Sequence, residues 1–171
     1  KIKRQYISAE STGLLTGYVG KPTENELTSK KCGVKLNQDS PVGRGGVEEF
    51  FDCQLRGTDG RRLIEVDAKG KFVRELGMAA PEGGQNIDLS IDGFWQDKIY
   101  KMLMGKKAVV VMSIPSTGRI LAMVSSPSID ANAFSNNIDN AKIKEYLQDN
   151  NNLPLLNRAI GARYHPGSVF K

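Results

Sequence analysis

The chain has 171 residues, with 24 basic and 19 acidic side chains giving a formal charge of +5. At 39% hydrophobic and 25% charged it is neither a low-complexity disordered chain nor a bilayer-embedded one; its longest clean apolar run, Ala108 to Met112, is far short of the ~20 residues that cross a membrane. The charge is spread evenly, +2 over residues 1–85 and +3 over residues 86–171, with aromatics at 7%, which argues against the gathered basic face of a nucleic-acid binder.

The first half reads as short pieces divided by Gly and Pro. Tyr18-Val19-Gly20-Lys21-Pro22 ends a short apolar stretch, and Thr23 followed by Glu26 has the spacing of a capping box that opens a short helix. Cys32 and Cys53 lie 21 residues apart. Outside the cytoplasm such a pair closes a loop worth about 3 kcal/mol. Two unpaired thiols are nonetheless the preferred reading, because pairing needs a geometry that spacing does not supply. With one His and no CxxC in the chain, a Cys/His zinc site is excluded. Residues 36–46 read as a loop by composition. Val47 to Leu55 reads as helical and Gly57 as its stop. Leu63–Val66 and Phe72–Leu76 flank Asp67-Ala68-Lys69-Gly70, a hairpin signature with Gly where positive φ is needed.

Residues 77–86 are the best linker candidate. Ile87 to Ile91 alternates apolar and polar residues as a half-buried strand does. Asp92 then caps a helix from Phe94 to about Met104, with Trp95, Ile99 and Leu103 on its apolar stripe. Ala108–Ile114 and Ile120–Val124 are apolar strands joined by Pro115-Ser116-Thr117-Gly118. Their nearly continuous apolar character predicts a central, well-covered part of a sheet. Asn132–Asn152 is polar, with one short helix around Ile143–Leu147. The class is α+β, in two units: residues 1–85 and residues 86–171.

The chemistry-bearing residues lie at Tyr164-His165-Pro166-Gly167-Ser168-Val169-Phe170-Lys171. Pro-Gly is a turn, and Ser after it is placed to begin a helix. Positions i and i+3 share a helix face, so Lys171 would stand within reach of the Ser168 hydroxyl. A serine needs a base to act as nucleophile, and a lysine whose charge is penalised can serve. On spacing alone the signal is weak: 12 Ser and 15 Lys in 171 residues supply about one S-x-x-K by chance. Ser168 then reads as a helix cap, Lys171 as a solvated residue and His165 as a turn residue.

Context changes that balance, because an ordered series of motifs resembles the class B penicillin-binding proteins. Leu15–Gly20 is similar to the family's lGYvG segment. Gly43–Glu48 with Leu55–Gly60 resembles the G.sGlE…LrG..G block of its non-catalytic pedestal, or dimerisation, domain. Gly84–Asp92 with Gln96 resembles G.nl.LTID..lQ, which leads into the transpeptidase domain. Ala108–Met112 and Ser116–Ser128, completed by Asp130 and Asn132, look like the AvVmdpkTGeILAMvS.Ps.DpN run. Asn157-Arg158-Ala159 and Tyr164–Lys171 match NRA…Y.PGStFK. Pro154–Ala159 leans toward the elongation type (penicillin-binding protein 2) over the division type.

The resemblance implies a pedestal domain followed by the N-terminal part of a transpeptidase domain built on an antiparallel sheet. It implies a membrane-anchored D,D-transpeptidase on the outer face of the bacterial cytoplasmic membrane, with Ser168 as the acylated nucleophile and Lys171 as its base. Peptidoglycan stem peptides and β-lactams are the implied ligands, a membrane glycosyltransferase and cell-wall scaffold proteins the implied partners. No metal or organic cofactor is implied.

Departures from the family pattern are Ile114 in place of the usual Asp, and Val169 in place of a common Thr. The family's S-x-N and K-T/S-G motifs do not follow Ser168 within the 171 residues, and Ser135-Asn136-Asn137, which precedes it, reads as coincidence. The chain is therefore expected to be a fragment, inactive by itself. The rival reading is a non-catalytic interaction module of the cell-wall elongation or division machinery. A serine β-lactamase or β-lactam sensor fits less well, since those do not resemble residues 15–60.

Overall fold

The computed structural model describes residues 4–29, 31–33, 36–135, 139–165 and 167–170. In chain order the elements are α1 (Ala9–Thr16), β1 (Tyr18–Gly20), α2 (Glu24–Thr28), β2 (Val42–Arg44), α3 (Gly46–Phe50), α4 (Asp52–Arg56), β3 (Arg61–Val66) and β4 (Phe72–Ala79). There follow α5 (Gly93–Leu103), β5 (Ala108–Ser113), β6 (Ile120–Ser126), α6 (Ala131–Ser135), α7 (Asn140–Gln148), α8 (Arg158–Gly161) and a 3-10 turn at Gly167–Phe170. The strands form three two-stranded antiparallel sheets: β1 with β2, β3 with β4, and β5 with β6.

The core gathers on β6. Ala122 and Val124 on that strand are fully buried, and Ile129, Ala131 and Ala133 just beyond it nearly so. α1, α5 and α8 all pack on β6, and α1 also packs on α5 and α6. The first helix of the chain is thus part of the core that the second half builds. Gly13 permits this, because a Cβ there would meet the Ile129 carbonyl oxygen at 2.2 Å.

Several elements follow directly from local chemistry. Thr23 and Glu26 form the capping box of α2. Asp92 caps α5 by accepting hydrogen bonds from the N–H groups of Phe94 and Trp95. The β3–β4 hairpin turns through Gly70 at φ +79°, a left-handed conformation that glycine adopts without steric cost. The β5–β6 pairing runs from Ala108 opposite Ser126 to Ser113 opposite Ile120.

Other expectations are corrected. Residues 36–46 contain β2, because Val42–Arg44 finds a ladder partner in β1 and composition does not report long-range pairing. The helix of 47–55 is broken at Phe51, whose φ of −102° and ψ of 20° separate α3 from α4. Residues 77–86 are no free linker: Gly77–Ala79 extend β4, Glu82 bridges Thr58, and the Gln85 N–H donates to the Gln54 carbonyl. Ile87–Ile91 joins no sheet; the Ser90 hydroxyl bonds the Ile120 carbonyl at 2.6 Å, and the Asp92 N–H reaches that of Leu121. The β5–β6 sheet has two strands, and β5 is half-exposed, with Val111 at 52%. The polar stretch holds a second helix, α6, and α7 is longer than the short helix expected around Ile143–Leu147. On α5 the fully buried residue is Gln96, which the expected stripe of Trp95, Ile99 and Leu103 left out, while Trp95 stands 41% exposed.

Cys32 and Cys53 are joined in a disulfide, their Cα atoms 5.2 Å apart. The preference for unpaired thiols is overturned because the chain between them folds back through β2 and α3, bringing α4 beside the Lys31–Gly33 turn.

Candidate active site

The approach to Ser168 begins at Asn157-Arg158-Ala159. Asn157 caps α8, its side-chain oxygen accepting the Ala159 N–H at 3.1 Å while its amide donates to the Leu14 carbonyl of α1 at 3.3 Å. Arg158 is buried at 6% exposure, and among the described residues no carboxylate forms an ion pair with it. Its guanidinium instead donates to the carbonyls of Asn152, Leu153 and Leu156, folding the preceding loop around its own charge. Buried donors are costly unless matched, and these carbonyls match them. Ser125 on β6 completes the anchor: its hydroxyl donates to the Leu156 carbonyl at 3.2 Å and accepts the Arg158 N–H at 3.0 Å.

From α8 the chain runs without regular structure as far as His165, which is exposed; Gly167 at φ +59° opens the 3-10 turn that carries Ser168. Ser168 is exposed. The expected partner Lys171 lies outside the described residues, as do Asn136 and Asn137 of the S-x-N coincidence. Ser135 is engaged locally: its hydroxyl accepts the Val19 N–H at 3.2 Å.

Behind this approach, Gln96 ties three elements together. Its amide nitrogen donates to the Ser11 carbonyl of α1 at 2.6 Å and to the Met123 carbonyl of β6 at 3.0 Å, and its oxygen accepts the Met123 N–H at 2.9 Å. The neighbouring Asp97 accepts from the hydroxyls of Ser8 and Ser11. Burial raises the Asp97 carboxyl, but those hydroxyl donors outweigh it and hold the group below the usual aspartate range. Tyr6 is pushed well above the usual phenol range by burial and by the adjacent Glu48 carboxylate, to which its hydroxyl donates.

A cavity of about 520 Å³ opens between α1, α3 and the approach to α8, lined by Leu14, Phe51, Met123, Ile129, Leu155 and Ile160 among others. Its mainly apolar lining does not include Ser168. Among the described residues no group of three or more His, Cys, Asp or Glu side chains could hold a metal ion, and no helix is long and apolar enough to cross a membrane.

Sequence reasoning gave Ser125, Gln96 and Arg158 no role of their own. All three stood inside quoted motifs; the overlooked signal was a polar residue where core packing calls for an apolar one.

Residues 1–89 match the family model of the penicillin-binding protein dimerisation domain, and residues 108–171 that of the penicillin-binding protein transpeptidase domain. The chain belongs to the penicillin-binding proteins. Among curated relatives, the peptidoglycan D,D-transpeptidase MrdA of Salmonella typhimurium is 37% identical over 171 residues, covering 98% of this chain and 27% of that protein. Penicillin-binding protein 3 of Bacillus subtilis is 34% identical over 168 residues, covering 98% and 24%. Of solved structures, the complex of penicillin-binding protein PBP2 with MreC from Helicobacter pylori matches with a TM-score of 0.74 at 31% identity, covering 99% of this chain and 31% of that one. Pseudomonas aeruginosa PBP2 in complex with WCK 5153 matches with a TM-score of 0.71 at 32% identity, covering 97% and 32%. The chain spans about a quarter of the length of the curated relatives it matches.

Proposed function

We propose that the protein carrying these residues is a peptidoglycan D,D-transpeptidase of cell-wall synthesis and a target of β-lactams, with Ser168 as nucleophile and Lys171 as base. The observation that carries the reading is the placement of Ser168: an exposed hydroxyl in a short turn, reached from a segment pinned to both α1 and β6. Lys171 takes the Ser168 proton as Oγ attacks the penultimate D-Ala carbonyl of a stem peptide. The terminal D-Ala leaves as its amine, taking that proton, and an ester remains on Ser168. An amine of a second stem then attacks the ester, forming the cross-link and returning the proton to Ser168. A β-lactam would open on the same hydroxyl.

The division into a pedestal of residues 1–85 and a catalytic start at 86–171 belongs to this reading, as does attachment to the outer face of the cytoplasmic membrane. The Cys32–Cys53 disulfide supports the latter, since disulfides persist in oxidising compartments. One feature favours an added interaction role. The β3–β4 hairpin packs chiefly on itself and leaves Leu63, Val73, Leu76 and Met78 more than half exposed, a surface suited to a membrane glycosyltransferase or a scaffold protein of the wall machinery.

Labelling with a fluorescent penicillin tests the reading in the full-length protein. Ser168→Ala is expected to abolish covalent labelling with folding intact, and Lys171→Arg to abolish it as well, because arginine stays protonated. Labelling that persists on Ser168→Ala would place the nucleophile elsewhere.

A further inference from the structure

We infer that Ser125 is a positioning residue for the nucleophile, holding the segment that carries Ser168 against the catalytic sheet; this rests on the reading of Ser168 given above. Ser125 lies near the end of β6 and is only 5% exposed. Its hydroxyl is used in both directions, donating to the Leu156 carbonyl at 3.2 Å and accepting the Arg158 N–H at 3.0 Å. These two backbone groups flank Asn157, the cap of α8. One side chain therefore clamps the entry to α8 onto β6, and α8 is the last regular element before the turn of Ser168.

The remaining anchors of this entry do not replace that clamp. The Arg158 guanidinium bonds carbonyls of its own loop, and Asn157 reaches α1. Neither bonds the sheet. β6 is the stiff reference in this neighbourhood: it is paired with β5, its core side chains are buried, and Met123, two residues before Ser125, is bonded at both N–H and carbonyl by Gln96. A hydroxyl that joins this strand to α8 transmits its position to the segment ahead of Ser168. Loss of the hydroxyl leaves the buried Arg158 N–H without its partner and the Leu156 carbonyl with only the 3.4 Å bond from the Arg158 guanidinium, which the entry relieves by shifting off the strand. Displacements of about 1 Å arising far from the reacting atoms can cost roughly 100-fold in rate.

The test is acylation of the full-length protein by a fluorescent penicillin, followed over time across concentrations, with the adduct mapped by peptide mass spectrometry. Ser125→Ala is expected to lower the limiting acylation rate constant by about 10- to 100-fold and to leave the half-saturating concentration within about twofold. Ser125→Thr, which keeps the hydroxyl, is expected to recover most of the rate. The rate constant is read per labelled site, so a merely structural role would lower the amplitude and leave the constant unchanged. Should the Ala variant yield no folded protein, Ser125→Cys carries the same comparison, its thiol being a weak hydrogen-bonding group of similar size. An unchanged rate constant with the adduct on Ser168 overturns the positioning role alone. An adduct on another residue overturns the nucleophile reading and this proposal together.

Discussion

Gln96 shows how a single polar side chain organises this core. It is fully buried, yet it offers one donor group and one acceptor to three backbone groups, of which the Met123 N–H and carbonyl would otherwise be stranded. Its worth lies less in the bonds gained than in the penalty avoided, since an orphaned buried group costs about 1–3 kcal/mol. Gln96→Leu keeps similar bulk but strands the Met123 N–H and carbonyl. We expect it to lose roughly 3 kcal/mol of stability, measured by urea denaturation. A loss below about 0.5 kcal/mol would show that other groups satisfy the backbone once the amide is gone.

At the scale of elements, α2 is five residues long and owes its definition to its ends. Helices this short do not persist on propensity alone. Glu26 accepts the Thr23 N–H at 2.8 Å to close the capping box, and it receives the Arg44 guanidinium of β2 at 2.8 and 2.6 Å. The Arg44 hydrogen bonds, followed by the Thr23 N–H, lower the Glu26 carboxyl from 4.5 to about 2. A folded-state value below the unfolded one means stability that is complete above the unfolded value and is lost as pH falls through the folded one. Glu26→Gln is therefore expected to melt below the unsubstituted protein at pH 6, with the gap closing between pH ~4.5 and ~2. Thermal unfolding across that range checks it; a gap independent of pH would assign the effect to the cap hydrogen bonds instead of the charge. The disulfide acts on the same region by another route. Closing the loop between Cys32 and Cys53 removes unfolded-state entropy worth about 3 kcal/mol.

For the whole molecule, the notable feature is that chain order and packing order differ. α1 belongs by sequence to the dimerisation domain, and it is bonded to α5 through Ser8 and Ser11, to α8 through the Leu14 carbonyl, and packed on β6. A helix of the dimerisation-domain match is thus bonded directly to the cap of the element that leads to Ser168. Chemistry still requires more than this connection. Residues 1–171 contain neither an S-x-N nor a K-T/S-G motif after Ser168, and losing a single oxyanion donor costs about 100- to 1,000-fold in rate. Incubated alone with a labelled β-lactam, residues 1–171 are expected to show no adduct by mass spectrometry. A stoichiometric adduct on Ser168 would show that these residues build a competent pocket unaided.

What the sequence by itself determined is what short-range chemistry decides. The Thr23–Glu26 capping box, the Asp92 cap, the Gly70 hairpin and the β5–β6 pairing each depend on residues near one another in the chain, and each was legible from residue type and spacing. Tertiary structure alone decided the pairing of β1 with β2 across more than twenty residues, the joining of Cys32 to Cys53, and the failure of Ile87–Ile91 to become a strand. Each depends on whether a distant partner arrives, and alternation or composition carries no information about that. The same reason hid Gln96 and Ser125: their side chains bond backbone groups that only the assembled core brings within 3.5 Å.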